Sequence, residues 1–366
     1  MKAHGLRLVG FLVAFMHRRE FLHPKQLAGA VAQVLDAVQE LRSLERELAD
    51  DAVLLRFSRQ AMATTFEVIF PFGTRDAQSL ADAALDEIDR LEAQLTVYRD
   101  NSEISRLNAE AARAPVVVQD NLFHLLGRAQ HLHQQTEGAF DVAVGALIKA
   151  WGFYLRKGQV PTDEERAAAL GRSGMQHVQL DAERRSVTFA RPGVEINLGS
   201  IGKGYALDQV VRLLHRARRV KNMLVHGGHS SVFALGSEPG SRTGWSIGLL
   251  DPDDPSRRLA VLRLHNRGLG ASAATYQHFM HQGRKLGHIL DPRTGWPAEG
   301  MRLAAVTAPT AAEADALATA FFILGVDRAQ AYCDTHPQIG AILAPDRNLV
   351  ILGRAREEID NQMTKE

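Results

Sequence analysis

The sequence predicts an α+β fold, in which helices pack on mixed or antiparallel sheets. Of its 366 residues, 45% are hydrophobic and 23% are charged, which indicates a globular core rather than disorder. Apolar residues recur at strand spacing and at helix spacing in scattered segments, and this mixture is typical of α+β proteins. No repeat of roughly 20–50 residues suggests a solenoid or a propeller.

We expect three parts along the chain: an N-terminal extension over 1–56, one compact domain over 57–356 and a tail over 357–366. The extension contains an apolar run of nine residues, far short of the roughly 20 that a membrane-crossing helix needs. HRREFL (17–22) resembles a twin-arginine signal, whereas 26–49 is typical of an exposed amphipathic helix. Export and a cytoplasmic location both stay open, and we expect no integral membrane span.

Within the compact domain, apolar spacing predicts each element in order. Helices are predicted over 76–95, 120–136, 202–217 and 310–324. Strands are predicted over 64–70, 177–181, 186–190, 194–199, 222–236, 245–250, 259–265, 302–308, 339–344 and 349–353. Residues 138–153 combine glycines with a run of apolar residues that we expect to be buried. Trp151 and Phe153 in this segment are expected to be core residues.

Composition excludes several classes of function. A net charge of +1 and an aromatic content of 6% give no reason to expect a nucleic-acid or anionic-membrane partner. Cys333 is the only cysteine, so the chain can form neither an internal disulfide nor a cysteine-rich metal site.

A carboxylate and a hydroxyl stand one helical turn apart in the helix predicted over 310–324. Thr310 and Glu313 form a capping-box pattern at its start, and Asp315 and Thr319 then share one face. Both are hard oxygen donors that suit Mg²⁺ or Ca²⁺. The alternative is structural: an arginine pairs with the acid and the threonine bonds to the helix backbone. Spacing alone favours this alternative.

Glycines lead from a predicted strand into the helix over 202–217. Gly199, Gly202 and Gly204 would bring backbone N–H groups to a helix N-terminus, where anions bind, and Lys203 adds a positive charge. A diphosphate would fit there. The spacing matches neither the dinucleotide-binding fingerprint nor the Walker loop, and tight strand–helix packing explains the glycines equally well.

The stretch GHILDPRTGWP (287–297) places a histidine before a stiff turn. Pro292 fixes its own φ and biases Asp291 towards extended backbone, and Gly295 supplies the freedom that a tight turn needs. The turn could hold His288 against a ligand, or it could be an ordinary strand end. Other histidines stand nearby in sequence, but their spacing matches no standard zinc site, so satisfied or exposed side chains are expected: His226, His229, His278 and His281.

Six segments, taken in order, resemble one known family. They are AMATTFEV, LTVYRDNSEISRLN, GAFDVAVGALIKAWGF, INLGSIGKGYALD, HILDPRTGWP and VTAPTAAEADALATAFFILG. Together, from about Met62 to Gly353, they resemble the FAD:protein FMN transferases of the ApbE type. The resemblance implies an ApbE-like fold over 57–356. It also implies an Mg²⁺-dependent enzyme that transfers FMN from FAD to a threonine or serine hydroxyl of an acceptor protein and releases AMP.

The resemblance also implies roles for individual residues. The predicted FAD contacts are Met62, Tyr98, Ala139, Phe140, Asp141 and Lys203. The predicted metal ligands are Ser200, through its backbone carbonyl, Asp315 and Thr319. His288 falls on the histidine implicated in catalysis. The implied partners are FAD and an acceptor flavoprotein, and the implied location is the periplasmic side of the envelope. Many members carry a lipid-attached cysteine near the N-terminus, whereas this chain has none there, so we expect no lipoprotein.

Two other functions fit the same residues. An Mg²⁺-dependent FAD pyrophosphatase would use water in place of the acceptor hydroxyl and give FMN and AMP. A non-catalytic FAD-binding or carrier protein is favoured by two departures from the family's usual residues. His226 and His229 flank the paired glycines where Asn and Asp are usual, and SAATY (272–276) stands where Thr-Ser-Gly is usual.

Overall fold

The computed structural model describes residues 53–155, 157–273 and 278–360, without the side chains of Arg284 and Lys285. Most of the predicted extension lies outside these ranges, as do the end of the predicted tail and most of SAATY. The first described strand begins at Leu54 and the last helix ends at Glu358. The predicted domain boundaries and location therefore stay predictions. Within the described ranges, no helix combines the length and the apolar character that a membrane crossing needs.

The described residues form eight α-helices and fifteen strands. The helices are α1 (Ala77–Leu95), α2 (Glu103–Glu110), α3 (Asp120–Gln135), α4 (Gly145–Ala150), α5 (Asp163–Leu170), α6 (Gly202–Val211), α7 (Ala311–Thr335) and α8 (Ala355–Glu358). The strands are β1 (Leu54–Ala61), β2 (Thr64–Pro71), β3 (Val116–Val117), β4 (Val178–Asp181), β5 (Ser186–Phe189), β6 (Met223–Gly227), β7 (Ser231–Leu235), β8 (Trp245–Leu250), β9 (Arg258–Leu264), β10 (Arg267–Ser272), β11 (His278–His281), β12 (Arg284–Gly287), β13 (Leu303–Ala308), β14 (Gly340–Ala344) and β15 (Val350–Gly353).

One eight-stranded sheet organises the domain. Its strand order is β1-β2-β6-β7-β10-β13-β14-β15, and every neighbouring pair is antiparallel. Three smaller sheets accompany it: β3-β5-β4, the hairpin β8-β9 and the hairpin β11-β12. Antiparallel sheets with packed helices are what the sequence predicts, so the α+β class is confirmed.

The main sheet is covered on both faces. On β2, Phe66, Val68 and Phe70 point into the core shared with α1, α6 and α7, whereas Ile69 points into a second core built with β8 and β9. Side chains alternate along a strand, so one strand can serve both cores. All residues of β13 and β14 are buried for the same reason, which explains why these strands read as continuous apolar runs.

Most predicted elements are confirmed, and one is wrong. Residues 194–199 are not a strand, because their backbone bonds elsewhere: Ile196 N–H donates to the side chain of Asn108, and Asn197 N–H donates to the carbonyl of Val142. The helix predicted over 310–324 ends where predicted, because Gly325 has a non-helical backbone with a φ of +78°. A second helical segment follows this kink, and α7 (Ala311–Thr335) comprises both segments. The stretch predicted as one strand over 222–236 is two strands, β6 and β7, joined by a turn. These elements are not predicted from the sequence: α2, α4, α5, α8, β1, β3, β10, β11 and β12.

Two glycines on β10 allow α7 to lie directly on the sheet. A Cβ on Gly268 would come within 2.5 Å of the backbone of Ala311, and a Cβ on Gly270 within 2.4 Å of the backbone of Ala314. Real Cβ atoms do not approach backbone this closely. The first turns of α7, which carry Asp315, are therefore positioned by backbone-to-backbone packing.

We expect Gly270→Ala to destabilise the protein by about 1–3 kcal/mol, because α7 or β10 must shift to admit the methyl group. Gly127→Ala in α3 is the matched control, since nothing lies within 4 Å of its Cβ position and alanine favours the helix by roughly 1 kcal/mol. Chemical unfolding of both variants measures the difference. Equal stability of the two would contradict the packing argument.

Candidate active site

Asp315 occupies the centre of the candidate site. It is 7% exposed, and its Oδ2 accepts two hydrogen bonds, from the Gly204 N–H at 2.7 Å and from the Ser231 hydroxyl at 2.8 Å. The structural alternative expected an arginine partner, but within the described residues the carboxylate is held by an amide and a hydroxyl instead. Both of these bonds end on Oδ2, and no hydrogen bond from a described residue ends on Oδ1.

Burial disfavours the ionised form of the Asp315 carboxylate. Burial raises the pKa of Asp315 to about 7, against the opposing influence of Lys203, Ser231 and Gly204. Lys203 is therefore near enough to act on Asp315, and it is half-buried at the start of α6. A buried acid beside a lysine is a common feature of functional sites.

Thr319 follows Asp315 by one helical turn, as predicted. Its hydroxyl donates to the Asp315 backbone carbonyl at 3.3 Å, which is the structural role that the sequence left open. The same hydroxyl lies 3.3 Å from the Ser272 hydroxyl at the end of β10. Two hydroxyls, one from α7 and one from β10, thus meet beside the Asp315 backbone carbonyl.

Helices α6 and α7 are joined by hydrogen bonds in both directions. Asp208 on α6 accepts hydrogen bonds from the N–H groups of Ala311 and Ala312, at 2.8 and 3.1 Å, and so caps α7. Burial raises the pKa of Asp208 to about 6. In return, Gly204 of α6 donates to Asp315 of α7. The sequence reading missed Asp208, although its position four residues after Gly204 places the two on one helical face.

The glycine-rich entry to α6 has fewer available amides than its pattern suggests. A Cβ on Gly204 would lie 2.2 Å from the Ala311 carbonyl oxygen, so tight packing accounts for this glycine. The N–H groups of Gly199, Gly202 and Gly204 all donate within the protein. Ser200, the predicted carbonyl ligand, lies in the turn just before α6 and is half-buried. Positive charge at this entry comes chiefly from Lys203.

Met62 lies in a strained turn between β1 and β2. Its φ is +47° and that of Ala63 is +61°, in a two-residue hairpin where glycine or asparagine is usual. The Met62 N–H donates to Glu92 of α1 at 2.8 Å, and this bond helps to hold the turn. Strained turns of this kind concentrate at ligand sites.

Tyr98 presents an aromatic surface near the end of α1. It is 63% exposed and lies against Tyr154, with ring centroids 4.9 Å apart and an interplanar angle of 30°. The Tyr154 hydroxyl donates to the Val97 carbonyl and fixes that ring. A large exposed ring on a fixed support suits stacking on a planar ligand.

The predicted segment of Ala139, Phe140 and Asp141 is buried, with exposures of 1%, 0% and 5%. Asp141 accepts hydrogen bonds from the N–H groups of Ala143 and Met175 and lies 2.9 Å from Nδ1 of His133. These side chains are therefore occupied within the protein, and only their backbone is suited to touch a ligand.

We expect the contribution of His133 to stability to depend on pH. Its hydrogen bond to Asp141 raises the pKa of His133 above that of the unfolded chain. The contribution is therefore complete below the unfolded pKa of about 6.5 and is lost as pH rises through the folded pKa. A bond to a charged group is worth about 1.5–3 kcal/mol. The stability difference between wild type and His133→Gln should shrink from pH 5.5 to pH 9. A difference that is constant or grows with pH would contradict this assignment.

His288 lies beside the aromatic side chain of Phe153 and before a turn that is held by hydrogen bonds. Its ring packs edge-on against Phe153, with centroids 6.4 Å apart. In the turn, Gly295 has a φ of +73°, its N–H donates to the Asp291 carbonyl, and its own carbonyl accepts from the Trp151 indole at 2.8 Å. Trp151 and Phe153 are core residues, as predicted. The tight turn predicted here is present and is held by these hydrogen bonds.

The other histidines and one cavity are distinct from these residues. His226 lies 2.9 Å from Glu67, and His229, His278 and His281 are exposed. A cavity of about 510 Å³ is lined by residues of α3, by Glu313 and by His336, and contains none of the predicted site residues. The cavity therefore lies away from the reactive groups of Asp315, Lys203 and His288.

Sequence comparison identifies the family to which this chain belongs. Residues 62–343 match the ApbE family, which is well over half of the chain. This chain belongs to the ApbE family. It is similar to proteins named FAD:protein FMN transferase from Treponema pallidum (34% identical, covering 73% of this chain and 78% of the relative) and Haemophilus influenzae (30%, covering 75% and 82%).

Solved structures support the ApbE fold. The ApbE protein of Thermotoga maritima aligns with a TM-score of 0.75 and 26% identity, over 83% of this chain and 98% of that one. The flavin transferase ApbE of Vibrio cholerae aligns with a TM-score of 0.72 and 26% identity, over 84% and 99%. The predicted ApbE-like fold and transferase class are thereby confirmed. The roles of individual residues stay predictions.

Proposed function

We propose that this protein transfers FMN from FAD to a threonine or serine hydroxyl of an acceptor protein, with Mg²⁺ bound, and releases AMP. The observation that supports this most is Asp315, a buried carboxylate near Lys203 on which the hydrogen bonds from described residues all end on one oxygen, Oδ2. The relatives from T. pallidum and H. influenzae are named for transfer of FMN from FAD to protein.

The donors around Asp315 fit Mg²⁺. A carboxylate, the Thr319 hydroxyl and the Ser200 carbonyl are hard oxygen ligands. No three His, Cys, Asp or Glu side chains among the described residues are grouped to hold a metal. A site with one carboxylate, completed by substrate phosphate oxygens, is typical of Mg²⁺. When bound, the ion would neutralise the pyrophosphate and polarise the phosphorus under attack.

The protein's own groups have distinct tasks in this proposal. Lys203 offsets negative charge that develops on the phosphoryl oxygens. Tyr98 offers its exposed ring to the flavin, and Met62 borders it. His288 accepts the proton of the acceptor hydroxyl as that oxygen bonds to the FMN phosphorus. The bond between the two phosphates breaks, and AMP leaves with the electron pair.

The proposal is tested by incubating purified protein with FAD and Mg²⁺, with and without a flavin-acceptor domain from the same genome. AMP release and protein-bound flavin fluorescence are followed together. Flavin on the acceptor, with an equal amount of AMP, is the expected result.

The other outcomes identify the alternatives. AMP and soluble FMN without acceptor would support the FAD pyrophosphatase. Tight FAD binding with no AMP in either tube would support a binding or carrier protein, which the residues at His226 and His229 favour.

A further inference from the structure

Ser231 makes a buried contact that none of the tasks above uses. It is the first residue of β7, it is 0% exposed, and its hydroxyl donates to Oδ2 of Asp315 at 2.8 Å. The Gly204 N–H donates to the same oxygen at 2.7 Å. Two donors on one oxygen fix the plane of the carboxylate as well as its position.

The elements that carry these groups are held firmly. Ser231 pairs with Gly227 of β6 on one side and with Gly270 of β10 on the other. Gly270 in turn lies against the backbone of α7 at Ala314, next to Asp315. Strand and helix thus meet backbone to backbone. The serine hydroxyl therefore has little freedom to leave the carboxylate.

We infer that Ser231 is a positioning residue, which orients Asp315 so that Oδ1 is presented to the metal as a single-oxygen ligand. This inference rests on the proposed function, because it takes Asp315 as a metal ligand. Groups that hydrogen-bond a ligating carboxylate typically change metal affinity or activity by about 10–100-fold when removed. Ser231 acts only through Asp315, so its loss weakens metal binding more than it slows the bound enzyme.

The test uses the full-length chain and Mn²⁺ as a spectroscopic probe of the Mg²⁺ site. We expect Ser231→Ala to raise the Mn²⁺ dissociation constant about 10-fold. The Mg²⁺ concentration for half-maximal transfer should rise by a similar factor, while kcat at saturating Mg²⁺ stays within about twofold. Ser186→Ala, an equally buried serine on β5, is the matched control and should change neither quantity.

Two further variants keep the outcomes distinct. Ser231→Cys nearly preserves volume but donates weakly, so it reports on the hydroxyl if the alanine variant does not fold. Unchanged Mn²⁺ affinity in the serine variants, or a fall in kcat that extra Mg²⁺ does not restore, would overturn the positioning role. Unchanged affinity in Asp315→Asn would overturn the metal site itself, and the inference with it.

Discussion

His288→Ala is expected to abolish flavin transfer while leaving FAD bound. General acid–base groups contribute about 10²–10⁴-fold, so the rate should fall to this extent or below detection. The imidazole packs against Phe153 and precedes a turn that is held by hydrogen bonds of other residues. FAD affinity should stay within a few-fold, because the predicted FAD contacts lie elsewhere in the chain.

The measurement is acceptor flavinylation under single-turnover conditions, beside FAD binding by fluorescence quenching. His281→Ala is the matched control, since His281 is an exposed histidine on the neighbouring strand β11. It should transfer flavin at the wild-type rate. If His288→Ala also did so, the histidine would have no chemical role, and the turn would be an ordinary strand end.

Much of this site follows from local sequence, because helical spacing is a short-range property. Asp315 and Thr319 share a face of α7, as their spacing predicts, and a tight turn follows His288, as Pro292 and Gly295 indicate. The same reasoning could not find what surrounds them. Ser231 and Gly204 contact Asp315 across 84 and 111 positions of chain, and the packing of β7, α6 and α7 brings them together.

Where sequence reasoning failed, long-range hydrogen bonding explains the failure. Residues 194–199 alternate like a strand, yet Ile196 pairs with the side chain of Asn108, 88 positions earlier. Asn108 exchanges two hydrogen bonds with the Ile196 backbone, as a neighbouring strand would. The pattern predicted the exposure of the segment correctly but could not predict its partner. The FAD contact that the family resemblance implies for Asp141 stays a prediction, and its side chain is hydrogen-bonded within the protein.

Asp315→Asn is expected to remove metal-dependent transfer while preserving the fold. The asparagine oxygen can accept the hydrogen bonds of Gly204 and Ser231 in place of Oδ2, which leaves the NH₂ group where Oδ1 stood. An amide nitrogen offers no lone pair to a metal. Charge stabilisation by a metal is worth several kcal/mol, so we expect a loss of about 100-fold or more in kcat/KM.

The same substitution should leave the metal-free protein as stable as wild type at pH 8, or more stable. Burial raises the pKa of Asp315 to about 7, above its value in the unfolded chain, so the folded carboxylate costs stability as pH rises from about 4 to 7. Asparagine carries no such cost. Asp327→Asn, an exposed acid on α7, is the control and should change neither activity nor stability. If Asp315→Asn is inactive and also unfolded, the carboxylate is a structural group. If the variant is stable but no longer binds Mn²⁺, the buried charge of Asp315 lowers the stability of the fold and serves to bind the metal.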